Sequence, residues 1–284
     1  MSSPAASAIT SVLKETRLFP PSKEFAAKAN VSGPERDRLA EWATRDPDGF
    51  WAEQARSLNW FKTWNKVLDW KPPHAKWFTG GKTNVSMNCV DRHIHTWRRN
   101  KAALIWVPEP EDAGDTVITY QELYRRVNEF AAVLADLGVQ AGDRVTLHMP
   151  MVPELPVTML ACARLGVVHS QVFAGFSGGA CGGRIADSGS KILITIDGYY
   201  RSGDLLDHKV KADEAVEAAR KEGQEVDKVL VWRRFPGQYS AKTPMVEGRD
   251  VFVDDLLADH RGAVVKPVSM PAEAPLFLMY TSGT

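Results

Sequence analysis

The chain has 284 residues, 44% of them hydrophobic, and its 35 basic and 35 acidic side chains cancel. That length and composition can bury a sizeable core, while a balanced charge without a long basic run gives no support to a nucleic-acid or anionic-membrane surface. No window approaches the roughly 18 consecutive apolar residues of a membrane span, so the expectation is a soluble globular chain.

The N-terminus, MSSPAASAITSVLKETRLFPP, is small and polar and lacks an apolar signal core, which predicts a partly disordered leader over residues 1–35. Cys89, Cys162 and Cys181 are odd in number and lie in no CxxC pattern, so they read as free thiols of a reducing compartment, the cytoplasm. Residues 36–100 hold Trp42, Trp51, Trp60, Trp64, Trp70, Trp77 and Trp97 with little regular strand pattern and breaks at KPPHAKWFTGGK. This stretch reads as a helical segment anchored by aromatic packing; a carbohydrate or nucleic-acid stacking surface is the alternative, and packing is the commoner use of indoles.

From residue 101 to 284 strands and helices alternate. Thr116 to Tyr120 is a short strand, Thr119-Tyr-Gln-Glu122 fits a capping box, and Leu123, Val127, Phe130, Leu134 and Leu137 line one helical face that Gly138 terminates. Arg144 to Met149 is the next strand, followed by a helix over 152–165 with Pro153 in its first turn and Gly166 at its end. Strands at Val167 to Phe173, Lys191 to Ile196, Lys228 to Trp232 and Leu276 to Tyr280 follow, the last read as buried, with helices near 211–222 and 251–258 between them. Such a series predicts an α/β fold with a mainly parallel, doubly wound sheet flanked by helices and preceded by the aromatic-rich helical segment. Ligands of such sheets sit at the carboxyl ends of the strands.

The loops after those ends carry the candidate chemistry. Gly175, Gly178, Gly179, Gly182 and Gly183 invite a dinucleotide-binding reading, with Asp197 as the ribose acid, yet no G-x-G-x-x-G is present and so many glycines weaken the helix a pyrophosphate needs. A flexible turn with close backbone packing is the plainer reading, and Phe173-Ala174-Gly175 offers a shelf for an adenine. In DGYYRSGDLLDHK, Arg201 is placed either to clamp a phosphate or to pair with Asp204 on the surface. His93 and His95 have no HExxH context and no third ligand, so no metal site is expected from this chain alone. At Tyr280-Thr281-Ser282-Gly283-Thr284 an apolar strand runs into hydroxyls and amides suited to a phosphate.

GFWAEQARSLNWFKTW, NVSMNCVDRHI, MPMVPELPVTMLACARLGVVHSQVFAGFS, GRIADS, DGYYRSG and LFLMYTSGT together resemble the N-terminal part of the AMP-forming acetyl-CoA synthetases, a branch of the acyl-adenylate-forming ligases. The resemblance runs almost continuously from about residue 18 to 284. It implies a leader (1–35), a wrapping segment (36–100) and the first part of an adenylate-forming domain (101–284).

It further implies a ligase that consumes acetate, ATP with Mg²⁺, and coenzyme A, and makes acetyl-CoA through acetyl-adenylate. Thr281, Ser282, Gly283 and Thr284 correspond to the opening of the ATP phosphate loop. Phe173, Ala174 and Gly175 correspond to the shelf for the coenzyme A adenine, with Ala174 where many members have glycine. Arg201, Ser202, Gly203 and Asp204 match the segment that contacts the coenzyme A nucleotide phosphate, Asp204 standing where some members carry a second arginine. The family's adenosine contacts, acyl pocket and adenylation lysine fall beyond residue 284, so no catalytic residue is assigned. The resemblance thus implies a fragment ending inside the phosphate loop and inactive by itself. Propionate as substrate, a non-catalytic coenzyme A-binding role and a purely structural role stay open.

Overall fold

Short apolar strands separated by amphipathic helices require a sheet covered on both faces. The computed structural model describes residues 17–235 and 243–281. The chain divides into two units, residues 1–54 and 55–284. Among its described residues the first unit holds α1 (Lys23–Ala27), α2 (Gly33–Arg45) and most of α3 (Pro47–Arg56). Ser22 and Ser32 cap α1 and α2 by accepting from the amides of Phe25 and Glu35, and Trp42 meets Phe50 edge to face at 5.4 Å.

The second unit begins with β1 (Lys66–Lys71), β2 (His74–Thr79), β3 (Lys82–Thr83) and the short α4 (Arg92–Ile94). Here the expectation of little strand structure is corrected. β1 and β2 form an antiparallel hairpin from Lys66 opposite Thr79 to Lys71 opposite His74, and the Pro72-Pro73 pair read as a break is its turn. Trp60, Trp64 and Phe78 cluster with ring centroids 5.0–5.5 Å apart, the packing role expected of indoles, whereas Trp70 and Trp97 are exposed. Two polar anchors tie this stretch to residues 163–164 and 268. Asn84 Nδ2 donates to the carbonyls of Ala163 at 2.8 Å and Val268 at 2.9 Å, and Asp91 accepts both terminal nitrogens of buried Arg164 at 2.8 Å.

β4 (Ala102–Trp106) and β5 (Thr116–Thr119) pair antiparallel and lead into α5 (Tyr120–Asp136), β6 (Arg144–Met149), α6 (Glu154–Leu165) and β7 (Val168–Phe173). Then come α7 (Gly178–Ser188), β8 (Ile192–Ile196), β9 (Gly198–Arg201), β10 (Asp204–Asp207), α8 (Lys209–Lys221) and β11 (Lys228–Trp232). β12 (Asp250–Phe252), α9 (Val253–Ala258), β13 (Met270–Pro271) and β14 (Phe277–Leu278) complete the described series. The main sheet runs β12-β11-β8-β6-β7-β14 with every neighbouring pair parallel, as the doubly wound expectation requires.

Strand alternation assigns the two faces. Val145, Leu147, Ile194, Ile196, Leu230 and Trp232 join Val127, Phe130 and Leu134 of α5 and Leu165 of α6 in one cluster. Leu193, Val229 and Val231 join Ile185 of α7 and Ala212 and Ala215 of α8 in the other. Each large apolar side chain buried this way stabilises the fold by about 1.5–3 kcal/mol.

Thr119 caps α5 by accepting from the amide of Glu122 at 3.2 Å. Glu122 itself is taken by Arg125 and Arg126 rather than by the returning half of a capping box. The hydrogen bond from Arg125 leads the causes that draw its carboxyl down to about 2. Gly138 and Gly166 take φ of 81° and 72° at the ends of α5 and α6.

Three local readings are corrected. Residues 178–188, read as a glycine-rich turn, form helix α7, capped by Ser177. The glycines lie where α8 comes closest: a Cβ on Gly182 would stand 2.5 Å from Ala218 Cβ and 2.7 Å from the Ala215 carbonyl oxygen. That contact outweighs the intrinsic cost of glycine in a helix. Residues 251–252, placed in a helix, belong to strand β12, added to the sheet edge by its pairing with β11. The last strand is an edge strand of two residues, with Phe277 and Met279 exposed rather than buried. The three cysteines are free, and among the described residues no helix is long and apolar enough to cross a membrane.

Candidate functional site

Met149 stands opposite Phe173, and Ile196 opposite Trp232, so the carboxyl ends of β6, β7, β8 and β11 share one edge of the sheet. The loops that follow them converge there.

Asp197, directly after β8, organises this edge. It is 1% exposed, and its carboxylate accepts from the amides of Gly198 at 2.7 Å, Arg234 at 3.0 Å and Phe235 at 2.8 Å. Burial raises its pKa while these bonds oppose the rise. A carboxylate engaged in this way is not available to a ribose, which removes the dinucleotide reading. It fixes where the chain leaves β8 and β11.

The segment DGYYRSGDLLDHK is a hairpin and not the loop expected. β9 and β10 pair from Gly198 opposite Asp207 to Arg201 opposite Asp204. Ser202 and Gly203 form the turn with φ of 54° and 86°, the left-handed pair that a two-residue hairpin of this twist demands. Arg201 thus projects from the tip of a hydrogen-bonded element.

Phe173 ends β7 half exposed, and Ala174 behind it is fully buried. The Ala174 carbonyl accepts from Tyr199 Oη and Lys211 Nζ, each at 3.4 Å. The Arg201 guanidinium lies over the Phe173 ring, 5.6 Å from its centroid. A Cβ on Gly175 would overlap the Phe173 ring and stand 2.5 Å from Arg201 Nη1, so glycine is what lets these groups meet. Sequence-predicted Phe173, Ala174, Gly175 and Arg201 are therefore brought together, with Ser202, Gly203 and Asp204 in the adjoining turn.

Phe173, Ala174 and Arg201 line a cavity of about 330 Å³ together with Trp106, Glu109, Met151, Tyr200 and Arg234. Trp106 Nε1 donates to the Met151 carbonyl at 2.9 Å, and Arg234 lies over the Trp106 ring at 4.5 Å. Arg234 is neutralised by Glu154, both of whose carboxylate oxygens accept from its Nη1, at 2.8 and 2.9 Å. Glu109 Oε1 accepts from the Gly203 amide at 2.7 Å. Sequence reasoning missed Trp106, Glu109 and Arg234. Trp106 ends β4 and Glu109 lies in the connection from β4 to β5, a strand pair outside the main sheet, and no local pattern links them to Arg201.

At the neighbouring strand end, Tyr280 Oη donates to Asp187 Oδ2 of α7 at 2.6 Å. Burial, then Asp187, pushes its hydroxyl up to about 12. Arg184 covers the Tyr280 ring at 4.9 Å and the Phe176 ring at 4.5 Å, and Phe176 meets Phe173 edge to face at 6.1 Å. A continuous stack so joins the shelf to the residue before Thr281. Thr281 is exposed, while Ser282, Gly283 and Thr284 lie outside the described residues. Among the described residues no three His, Cys, Asp or Glu side chains gather to hold a metal ion.

Comparison with known proteins gives this arrangement a context. Residues 36–89 match the family model described as acetyl-coenzyme A synthetase N-terminus. The chain is 47% identical over 276 residues to an acetyl-coenzyme A synthetase of Gemmatimonas aurantiaca, covering 96% of this chain and 40% of the relative. It is 46% identical over 248 residues to one of Methanothrix thermoacetophila, covering 87% and 36%. It is 44% identical over 290 residues to one of Rhodopirellula baltica, covering 100% and 42%. The chain thus spans about 40% of the length of these curated relatives. Residues 90–284, more than half of the chain, match the family model of AMP-binding enzymes, and the chain belongs to that family.

Proposed function

We propose that this chain carries the coenzyme A nucleotide site and the opening of the ATP phosphate loop of an AMP-forming acetate:coenzyme A ligase. In that reaction an acetate oxygen attacks the α-phosphorus of ATP and pyrophosphate leaves; the coenzyme A thiol then attacks the acyl carbon and AMP leaves. The activity is attributed to a protein of the relatives' length, of which residues 36–100 would be the wrapping segment and 101–284 the first part of the adenylate-forming domain.

The observation that carries this reading is the meeting of Phe173, Ala174 and Arg201 in the lining of one cavity at the carboxyl edge of the sheet, with Gly175 packed against Phe173 and Arg201. A flat base can stack on the exposed Phe173 ring because Gly175 leaves no Cβ in its way. A phosphate can take the Arg201 fork, whose planar donors suit paired oxygens. Thr281 stands one strand away, where its hydroxyl and amide would begin to receive the ATP phosphates. Mg²⁺ would enter on those phosphates and supply charge neutralisation.

Calorimetric titration of the chain with coenzyme A tests this assignment. Saturable binding is expected, weakened about tenfold in Arg201→Ala, because a hydrogen bond to a charged group contributes about 1.5–3 kcal/mol. Equal affinity in the two proteins would sink the assignment of Arg201, and no heat from either would remove the site.

A further inference from the structure

The cavity beside Phe173 has an unusual charge balance for a phosphate site. Arg234 also faces it but is matched by Glu154. Asp204 stands opposite Arg201 in the register of the hairpin, which puts the two side chains on the same face of it. Glu109 adds a second carboxylate to the lining. It is held in place because its Oε1 accepts from the amide of Gly203, in the very turn that follows Arg201.

We propose that Glu109 is a specificity-determining residue of this cavity. It pins the hairpin tip that presents Arg201, and its fixed charge opposes ligands bearing additional phosphate. Resting on the coenzyme A reading above, the inference is that the site gains little from the 3′-phosphate. Coenzyme A and 3′-dephospho-coenzyme A then bind with similar affinity. The Arg201 attraction for the 3′-phosphate is offset by the carboxylates of Asp204, opposite it in the hairpin, and of Glu109, in the same cavity lining.

Glu109→Gln separates the two roles, because an amide oxygen still accepts from Gly203 while the charge is gone. In the unaltered chain, calorimetry with the two ligands is expected to give dissociation constants within about threefold of each other, as opposing local charges cancel. In Glu109→Gln the preference for coenzyme A over its dephospho form should rise about threefold or more, and that gain should shrink as salt is raised. Amide exchange at Gly203 should be unchanged in Glu109→Gln and faster in Glu109→Ala, which removes the acceptor. A preference for coenzyme A above about tenfold in the unaltered chain, or an unchanged ratio in Glu109→Gln, would overturn the proposal while leaving the nucleotide reading intact. Failure of both ligands to bind would overturn the nucleotide reading and this inference with it.

Discussion

Gly182 and Gly183 are neighbours in α7 with opposite surroundings, and they show how one atom is decided by what it would touch. A Cβ on Gly182 would run into Ala218 Cβ and the Ala215 carbonyl of α8, whereas one on Gly183 meets only Glu222 Oε1 at 3.6 Å. Alanine improves helix propensity at both positions by about 0.5–1 kcal/mol. At Gly182 the obstacle includes backbone of a packed helix, so overpacking of about 1–3 kcal/mol prevails. Gly182→Ala should therefore lower the urea midpoint and Gly183→Ala should raise it. Shifts of the same sign would show that α7 and α8 are not in the contact described. Arg201 and Phe173 illustrate the same principle at the cavity, where the missing Cβ of Gly175 permits the meeting.

Between elements, burial dictates protonation. His148 of β6 and His208, just before α8, lie ring to ring at 4.4 Å, and Tyr199 of β9 meets His208 edge on at 5.3 Å. Burial pushes His148 down to about 4 and, aided by its neighbour His148, His208 to about 3; burial alone takes His169 of β7 to about 4. These imidazoles stay neutral in the folded chain, so stability is complete above their ordinary value near 6.5. Below it the unfolded chain takes up protons that the folded chain refuses. Each histidine then costs up to about 1.4 kcal/mol per pH unit until its folded pKa is reached. The urea midpoint should hold steady above pH 7 and fall between about pH 6.5 and 5, a window above ordinary carboxylate titration; a flat midpoint across it would refute the burial of these side chains. The strands are legible in the sequence as short apolar runs, and most helices around them by their period of 3.6. α7 is not, since its four glycines make sense only against α8. The β1–β2 hairpin is hidden because Lys66, Asp69 and Lys71 blur its alternation and Pro72-Pro73 mimics a break.

Across the whole sheet, the candidate site residues gather at one edge. Phe173 and Tyr280 lie at or just after carboxyl ends of the parallel sheet, and Arg201 ends the hairpin strand that follows β8, which is why these candidates are legible before any contact is known. Trp106, Glu109 and Arg234 complete the cavity from distant segments that only tertiary packing unites. The amino edge offers a competing cavity of about 430 Å³, lined by Arg144, Lys191 and Lys228 with Asp143 and Asp227. It has the cations for an anion but no aromatic shelf for a base. Hydrogen exchange of the chain with and without coenzyme A separates the two edges in one experiment. Slowed amides at residues 173–177 and 198–204, with the amino edge unchanged, are the expected result. Protection at 138–145 and 189–192 instead, or none at the Phe173–Arg201 cavity under saturating coenzyme A, would contradict the placement of the nucleotide at the carboxyl edge.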